Sequence, residues 1–528
     1  MIAARAWANT LAMDQRTHLA AERSSTAPRG LLERSAAHPF AWLMGSLGLL
    51  LLVRLAALAL NRTDLYYDEA QYWAWAQAPA FGYYSKPPLI AWLIAASTSV
   101  CGNTEPCVRL ASPLLHTLSA LAIFVLASRL YDRTTGVLAA LAFALIPGVS
   151  FSSGIISTDV PLLLAWALAL IGFVALFDTR AWWPALVLGA ALGLGLNAKY
   201  AMAWFVPCAG FYLALTPARR GILRDSRLWA AVAICVTLIL PNLAWNQAHA
   251  FATFSHTADN AKWSGGLVHP LKAAEFLLSQ FGVFGPFYFA GLLVIAYRSS
   301  TSMLPEADRL LLAFSLPLIA IITVQAFVSR AHANWAAMAY VPGVAVVIAT
   351  LVRERAAGWL HASYLLHGAA LAVMIAATST AGLAKLPGLN DLAARTLGWH
   401  GLGDVVSAEA ERARRAGHPY AAILTDKRAV AAELIYYMRA EGTPVLAYTA
   451  GGRPHDHFEL SRPYTQRSGE PVLLVELGGA TGPESADATP PARQAFAVSE
   501  PQGGADIAAG SAKPRRVTFV KLSGYKGP

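Results

Sequence analysis

Residues 40–60 read FAWLMGSLGLLLLVRLAALAL, with a single charge at Arg54, and at 66–77 the chain turns to Tyr-Tyr-Asp-Glu-Ala-Gln-Tyr-Trp-Ala-Trp-Ala-Gln. The first run is long enough to cross about 30 Å of hydrocarbon as a helix. Its exit sets Asp68 and Glu69 side by side in a belt of Tyr66, Tyr67, Tyr72, Trp73 and Trp75. Amphipathic rings prefer a membrane–water boundary. Carboxylates held against a bilayer are costly, so adjacent acids there point to function. The plainer reading is a solvated loop with an aromatic anchor.

Working outward, the 528 residues are 56% hydrophobic and 14% charged, against about 25% charged in a soluble domain. Apolar runs of roughly 16 to 23 residues recur, each able to span a bilayer. The fold class is therefore mainly α, a polytopic transmembrane bundle of about eleven spans plus interfacial helices. After 40–60 the spans are expected near 109–130, 135–151, 160–177, 182–198, 200–215, 228–245, 283–297, 310–328, 335–351 and 358–380. The piece 89–100 is too short to span and reads as an interfacial or re-entrant helix.

Charge supports this count. Alternation puts Arg133, Arg180, the Arg219/Arg220/Arg224/Arg227 group, Arg298/Arg309 and Arg353/Arg355 on one side. Basic loops mark the cytoplasmic side, so Asp68, Glu69, Asp159 and the 246–282 and 329–335 segments are expected on the periplasmic side of a bacterial inner membrane. Were 89–100 a full span, every later loop would flip and the asymmetry would be lost. The net charge of +10 is thus a topology signal and not a nucleic-acid surface.

Residues 1–38, with five arginines, read as a disordered cytoplasmic tail, and 39–385 as the transmembrane domain with its first external loop at 61–108. Residues 386–528 alternate strand-like and helix-like pieces, at 420–425, 427–440, 444–448, 471–477 and 516–522. That pattern predicts a small periplasmic α/β domain, with 478–514 as a flexible segment. Cys208 and Cys235 fall in apolar runs as small hydrophobes. Cys101 and Cys107 flank Gly-Asn-Thr-Glu-Pro in the external loop, where an oxidising compartment permits a disulfide without proving one.

Adjacent positions on a helix point about 100° apart, so Asp68 and Glu69 cannot face one substrate atom alike. One can serve as a base while the other is tied into support. Asp159 opens a span, where an acid caps the helix or serves the site. External cations are few: Lys86 in Tyr-Ser-Lys-Pro-Pro, Arg109, Lys199, Lys262, Lys272, Arg330 and His332. Each can snorkel, yet an anionic lipid head group needs such donors. His256 is a possible ligand or acid/base group, although a lone histidine is more often neither. External acids and cations on a membrane body suit transfer from a lipid phosphate donor, a carboxylate taking the acceptor proton and cations the departing phosphate.

The Tyr-Asp-Glu-Ala motif, the Tyr-Tyr-Ser-Lys-Pro-Pro-Leu-Ile-Ala-Trp segment and the Val-Arg-Leu opening of the second span resemble the C-type membrane glycosyltransferases. They are closest to bacterial relatives of protein O-mannosyltransferases and of the lipid A aminoarabinose transferase, most clearly over 60–205. The resemblance implies a polyprenyl-phosphate sugar donor, an inverting displacement, and a lipid, glycan or protein acceptor among membrane lipids. By it Asp68 is the base, Glu69 its companion and Asp159 a second acid. Lys86 matches the lysine that engages the donor phosphate, Arg109 and Lys199 match cationic positions at helix ends, and His256 matches a second ligand of the aminoarabinose enzymes. With these, Arg109, Lys199 and Arg330 are candidates for the donor phosphate, and Tyr67, Tyr84, His256 and His332 for substrate contacts. The aminoarabinose enzymes carry an acid, implicated in metal binding, where this chain has Ser85, so no metal and no other cofactor is expected. The alternative is a multi-pass transporter or lipid flippase. It predicts charges near the bilayer midplane and broken spans in matched halves, whereas the middles of these runs are almost uncharged.

Overall fold

A computed structural model describes residues 39–261, 268–380, 395–465, 470–478, 491–509 and 513–527. The expected tail at 1–38 and the domain boundary near 385 lie outside the described residues.

Among the described residues seven helices are long and apolar enough to cross a membrane. They are α1 (Pro39–Leu60), α4 (Glu105–Leu130), α6 (Asp159–Asp178), α9 (Ser226–Ala248), α12 (Glu306–Val328), α13 (Ala333–Arg353) and α14 (Ala357–Thr380). An eighth is reached only by pairing α10 (Pro270–Val283) with α11 (Pro286–Ser299), which are bent by 119°. Gly285, at φ +94°, makes the bend in a region side chains avoid. The other expected spans fall on the shorter helices α5 (Arg133–Leu145), α7 (Trp183–Ala198) and α8 (Tyr200–Leu215). All eleven expected spans thus fall on helices, seven of them of spanning length, one within the bent pair and three shorter than expected. Hydropathy measures the length of an apolar run and overlooks the breaks within it. The chain leaves the helix at Ile146, before Pro147, as a residue preceding proline tends to.

The bundle core is made by α4, α5, α6, α7 and α13 around Trp166, Phe143 and Phe173. Small residues let its helices approach: a Cβ on Gly189 would stand 2.5 Å from the carbonyl oxygen of Ala231. Arg54, the single charge of α1, is buried and donates to the carbonyl of Ala144. At the end of the bundle away from Asp68, arginines pair with acids, as Arg129 with Asp178 (2.8 Å) and Arg353 with Asp308 (2.7 Å).

The segment 61–108 holds two short helices. In α2 (Tyr67–Ala76), Glu69 in the first turn accepts from the Tyr66 backbone N–H at 2.9 Å, closing the helix start. The apolar helix α3 (Leu89–Cys101) buries Ile90, Ala91 and Ile94, and at 13 residues it is too short to span. Cys101 and Cys107 are joined by a disulfide that closes the turn into α4.

After α14 the chain forms α15 (Trp399–Arg415), β1 (Ile423–Thr425), α16 (Arg428–Tyr437), β2 (Val445–Ala447), β3 (Val472–Gly478), β4 (Phe496–Ile507) and β5 (Arg515–Tyr525). The sheet order is β2-β1-β3-β5-β4, parallel through β2, β1 and β3 and antiparallel beyond. Strand β4 corrects the expected flexibility of 478–514 over Phe496–Ile507, while 479–490 and 510–512 lie outside the described residues. Its Ser-Glu-Pro-Gln-Gly-Gly stretch reads as linker but sits on an edge strand, with a register shift between Pro501 and Gly504, where proline and glycine are tolerated.

This domain is seated on the 61–108 segment. Helix α16 packs against α2, with Trp73 edge-on to Tyr436 at 4.9 Å. Tyr437 Oη accepts from the Leu65 N–H at 2.9 Å, Tyr436 Oη donates to the Asn103 carbonyl at 2.9 Å, and Asp64 accepts from the Trp399 N–H at 2.7 Å. Trp73, Trp75, Ala432, Tyr436 and Phe458 share one apolar cluster across the joint.

Candidate active site

The adjacent acids have opposite environments. Glu69 is buried, and its carboxylate accepts from Arg109 Nε at 3.0 Å and Nη2 at 2.8 Å, and from the Ile156 N–H at 2.8 Å. Arg109 spends its remaining donors on the Thr63 carbonyl and hydroxyl (3.2 Å each) and the Asp64 carbonyl (2.7 Å). Both side chains are 1% exposed. Arg109, expected at the phosphate, has no donor left for it, and Glu69 is the one of the two acids tied into support, anchoring α2 to the start of α4.

Asp68 is 36% exposed, and its Oδ1 accepts from Arg428 Nη1 at 2.8 Å. Arg428 belongs to α16, and sequence reasoning missed it. The same Nη1 reaches Gln71 Oε1 at 2.8 Å, and the guanidinium lies over the Tyr67 ring at 4.9 Å. Thus a residue of the α/β domain stands 360 positions along the chain from the acid it holds.

Lys86 lies in a turn closed by the Tyr83 N–H on its own carbonyl, with Tyr83 stacked on Trp75 at 4.6 Å and two prolines following. Its ammonium has no hydrogen bond or ion pair among the described residues. Burial, then the charge of Lys199, pulls its pKa below the ordinary lysine range, against the opposing pull of Asp68 and Asp159. Asp159 serves as a junction: its Oδ1 accepts from Lys199 Nζ at 2.7 Å and its Oδ2 from Asn334 Nδ2 at 2.6 Å. Lys199, expected at the phosphate, is therefore already neutralised, and Asn334 enters a site where sequence had singled out only its neighbours.

Tyr84 is buried and donates to the Pro454 carbonyl at 2.9 Å, with the His256 ring 5.4 Å away. It is another tie to the α/β domain. Burial, then Lys86 and Arg428, push His256 down to about 4, so its imidazole is neutral at pH 7. His332 is likewise lowered, by burial and then Arg330. Arg330, Arg395, Lys199 and Lys86 all lie within electrostatic reach of it. The Tyr67 hydroxyl accepts from Tyr66 at 2.5 Å.

The Ser85 hydroxyl accepts from the Gln71 amide at 3.4 Å. Among the described residues no three His, Cys, Asp or Glu side chains converge. A half-open carboxylate and a lone ammonium together can take a proton from an attacking hydroxyl and hold a departing phosphate.

The sequence matches the family described as dolichyl-phosphate-mannose-protein mannosyltransferase over residues 85–245. A lipid A galacturonosyltransferase of Rhizobium johnstonii is 36% identical, over 77% of this chain and 84% of its own length. An undecaprenyl phosphate-alpha-4-amino-4-deoxy-L-arabinose arabinosyl transferase of Pseudomonas fluorescens is 28% identical over 33% of this chain and 32% of its own. Among solved structures, ArnT from Cupriavidus metallidurans bound to undecaprenyl phosphate superposes with a TM-score of 0.60 at 12% identity, covering 92% of this chain and 99% of that one. These likenesses are to transferases, and the transporter or flippase alternative gains nothing from them.

Proposed function

The chain belongs to the C-type membrane glycosyltransferase family that includes the lipid A galacturonosyltransferase of Rhizobium johnstonii, and from that membership we propose that it moves a uronic acid from a polyprenyl phosphate to a lipid A-type acceptor. The site lies on the periplasmic face of the inner membrane, with residues 1–38 on the cytoplasmic side. The charge asymmetry of the loops supports that orientation. The observation that carries the reading is a partly exposed Asp68, held by Arg428, in one site with Lys86, whose ammonium has no hydrogen bond or ion pair among the described residues and feels the charge of Asp68.

In this reading Asp68 takes the proton of the acceptor hydroxyl as its oxygen attacks the anomeric carbon from the face opposite the phosphate. The bond from that carbon to the phosphate oxygen breaks, and the configuration inverts. The donor is a phosphodiester with one negative charge, and the departing polyprenyl phosphate gains a second. Lys86 meets that added charge, and a charge developing in the transition state is where a preformed cation does most. Asp159, Lys199 and Asn334 form a second polar cluster of the site, with His332 in reach of the charges of Arg330, Lys199 and Lys86.

The test is transfer itself. Purified protein given labelled polyprenyl-phosphate galacturonic acid and lipid A should yield labelled lipid A and free polyprenyl phosphate in equal amounts; an inert protein under conditions that keep it folded would overturn the reading. Lys86→Ala should raise the donor KM about 10- to 100-fold, the scale of a lost hydrogen bond to a charged group. Because the Lys86 pKa is lowered, its cation is lost as pH rises, earlier than for an ordinary lysine. The donor KM should therefore climb on the alkaline side, and Lys86→Arg should move that climb to higher pH. A KM flat with pH in both proteins would remove Lys86 from the phosphate.

A further inference from the structure

Arg428 is only half used. One nitrogen, Nη1, serves both Asp68 and Gln71, while Nε and Nη2 have no hydrogen bond among the described residues. The side chain is 35% exposed, and its plane is fixed over the Tyr67 ring. The result is a preoriented fork with one open edge beside the candidate base. Its position suits a ligand contact. Arg428 begins the helix after β1, and the chain pairs β2 and then β3 on opposite sides of that strand. In open α/β sheets the crevice at the carboxyl end of such a strand is where ligands bind.

Charge narrows the ligand. Lys86, Lys199, Arg330, Arg395 and Arg428 gather around two carboxylates, Asp68 and Asp159. A neutral sugar on a phosphodiester brings one negative charge and leaves positive charge unbalanced. A uronic acid brings a second, on a planar carboxylate that matches a guanidinium edge better than it matches an ammonium. Resting on the donor reading given above, we propose that Arg428 is the specificity-determining residue for the donor sugar, its Nε and Nη2 edge binding the carboxylate of a hexuronic acid. The α/β domain thus reads the sugar, and Lys86 in the 61–108 segment holds the phosphate.

The experiment compares polyprenyl-phosphate galacturonic acid with polyprenyl-phosphate galactose, which keeps the leaving phosphate and removes the carboxylate. Full-length protein, Arg428→Gln and Arg428→Lys are each assayed for kcat/KM on both donors, after size exclusion confirms a monodisperse sample. The ratio of uronate to galactose should fall about 100-fold in Arg428→Gln, the scale of a partly screened charge-assisted pair. It should fall about tenfold in Arg428→Lys, which keeps the charge without the fork; that variant carries the comparison if the glutamine protein is not monodisperse. Equal proportional losses on both donors would overturn the proposal, since Arg428 would then act on the phosphate or through Asp68. An unchanged ratio overturns it as well. A starting protein that transfers galactose in preference to the uronate defeats the donor reading itself, a result separable from any behaviour of the variants.

Discussion

Asp68→Asn is expected to lower transfer about 10²- to 10⁴-fold, the range of a lost general base, with no change in melting temperature or in elution on size exclusion. The asparagine oxygen can still accept from Arg428, so the joint between α2 and α16 keeps its geometry. What disappears is the group that takes the acceptor proton. Initial rates under saturating donor isolate that step. The loss should appear in kcat, because neither the phosphate nor the sugar carboxylate is assigned to Asp68. A residual rate within tenfold of the starting protein would mean that the proton goes elsewhere, and Asp159 would then be the acid to test.

Changing its neighbour should give the opposite signature. Arg109→Met leaves the Glu69 carboxylate buried without its charge partner, and Glu69→Gln leaves the guanidinium in the same position. Removing one member of a buried pair costs about 3–5 kcal/mol because the remaining charge has no water and no counterion. Both variants should melt well below the starting protein, and their activity should fall with the folded fraction. Replacing both at once, as Glu69→Leu with Arg109→Met, should recover part of that stability, since no lone charge remains. Melting curves of the three variants decide it. A single variant that is stable yet inactive would return Glu69 to the chemistry.

These two adjacent residues show what a sequence can and cannot disclose. Hydropathy located the apolar helices, and the arginine pattern excluded residues 89–100 from the spans. Both signals are carried by neighbours along the chain. The same is true of β1, α16 and β3, which begin or end within a few residues of where alternation put them. Asp68 and Glu69 look alike in composition, and their separation depends on partners 360 and 40 positions away. The direction in which α2 presents each acid is a packing outcome. Arg109 illustrates the same limit: an external arginine in a motif gives no sign of whether its donors are already spent. Asn334 and Arg428 carried no local mark at all. The β4 stretch was misread for a different reason. Its proline and glycines argue for a linker, and only pairing with β5 makes them edge-strand residues.

The sheet that supports Arg428 is completed late. Strand β5 is the last one described, yet it lies between β3 and β4, so the domain cannot close until that strand is in place. A ribosome delivers the chain from its amino end, and domains fold in that order. The helices of the bundle can therefore insert, and Asp68 can meet the lipid head groups, long before Arg428 arrives. A nascent chain in that state is a complete anchor with an unfinished sugar reader. Disrupting β5 (Arg515–Tyr525) should therefore yield a membrane-inserted product that still meets the donor phosphate but discriminates poorly between a uronate and a neutral sugar.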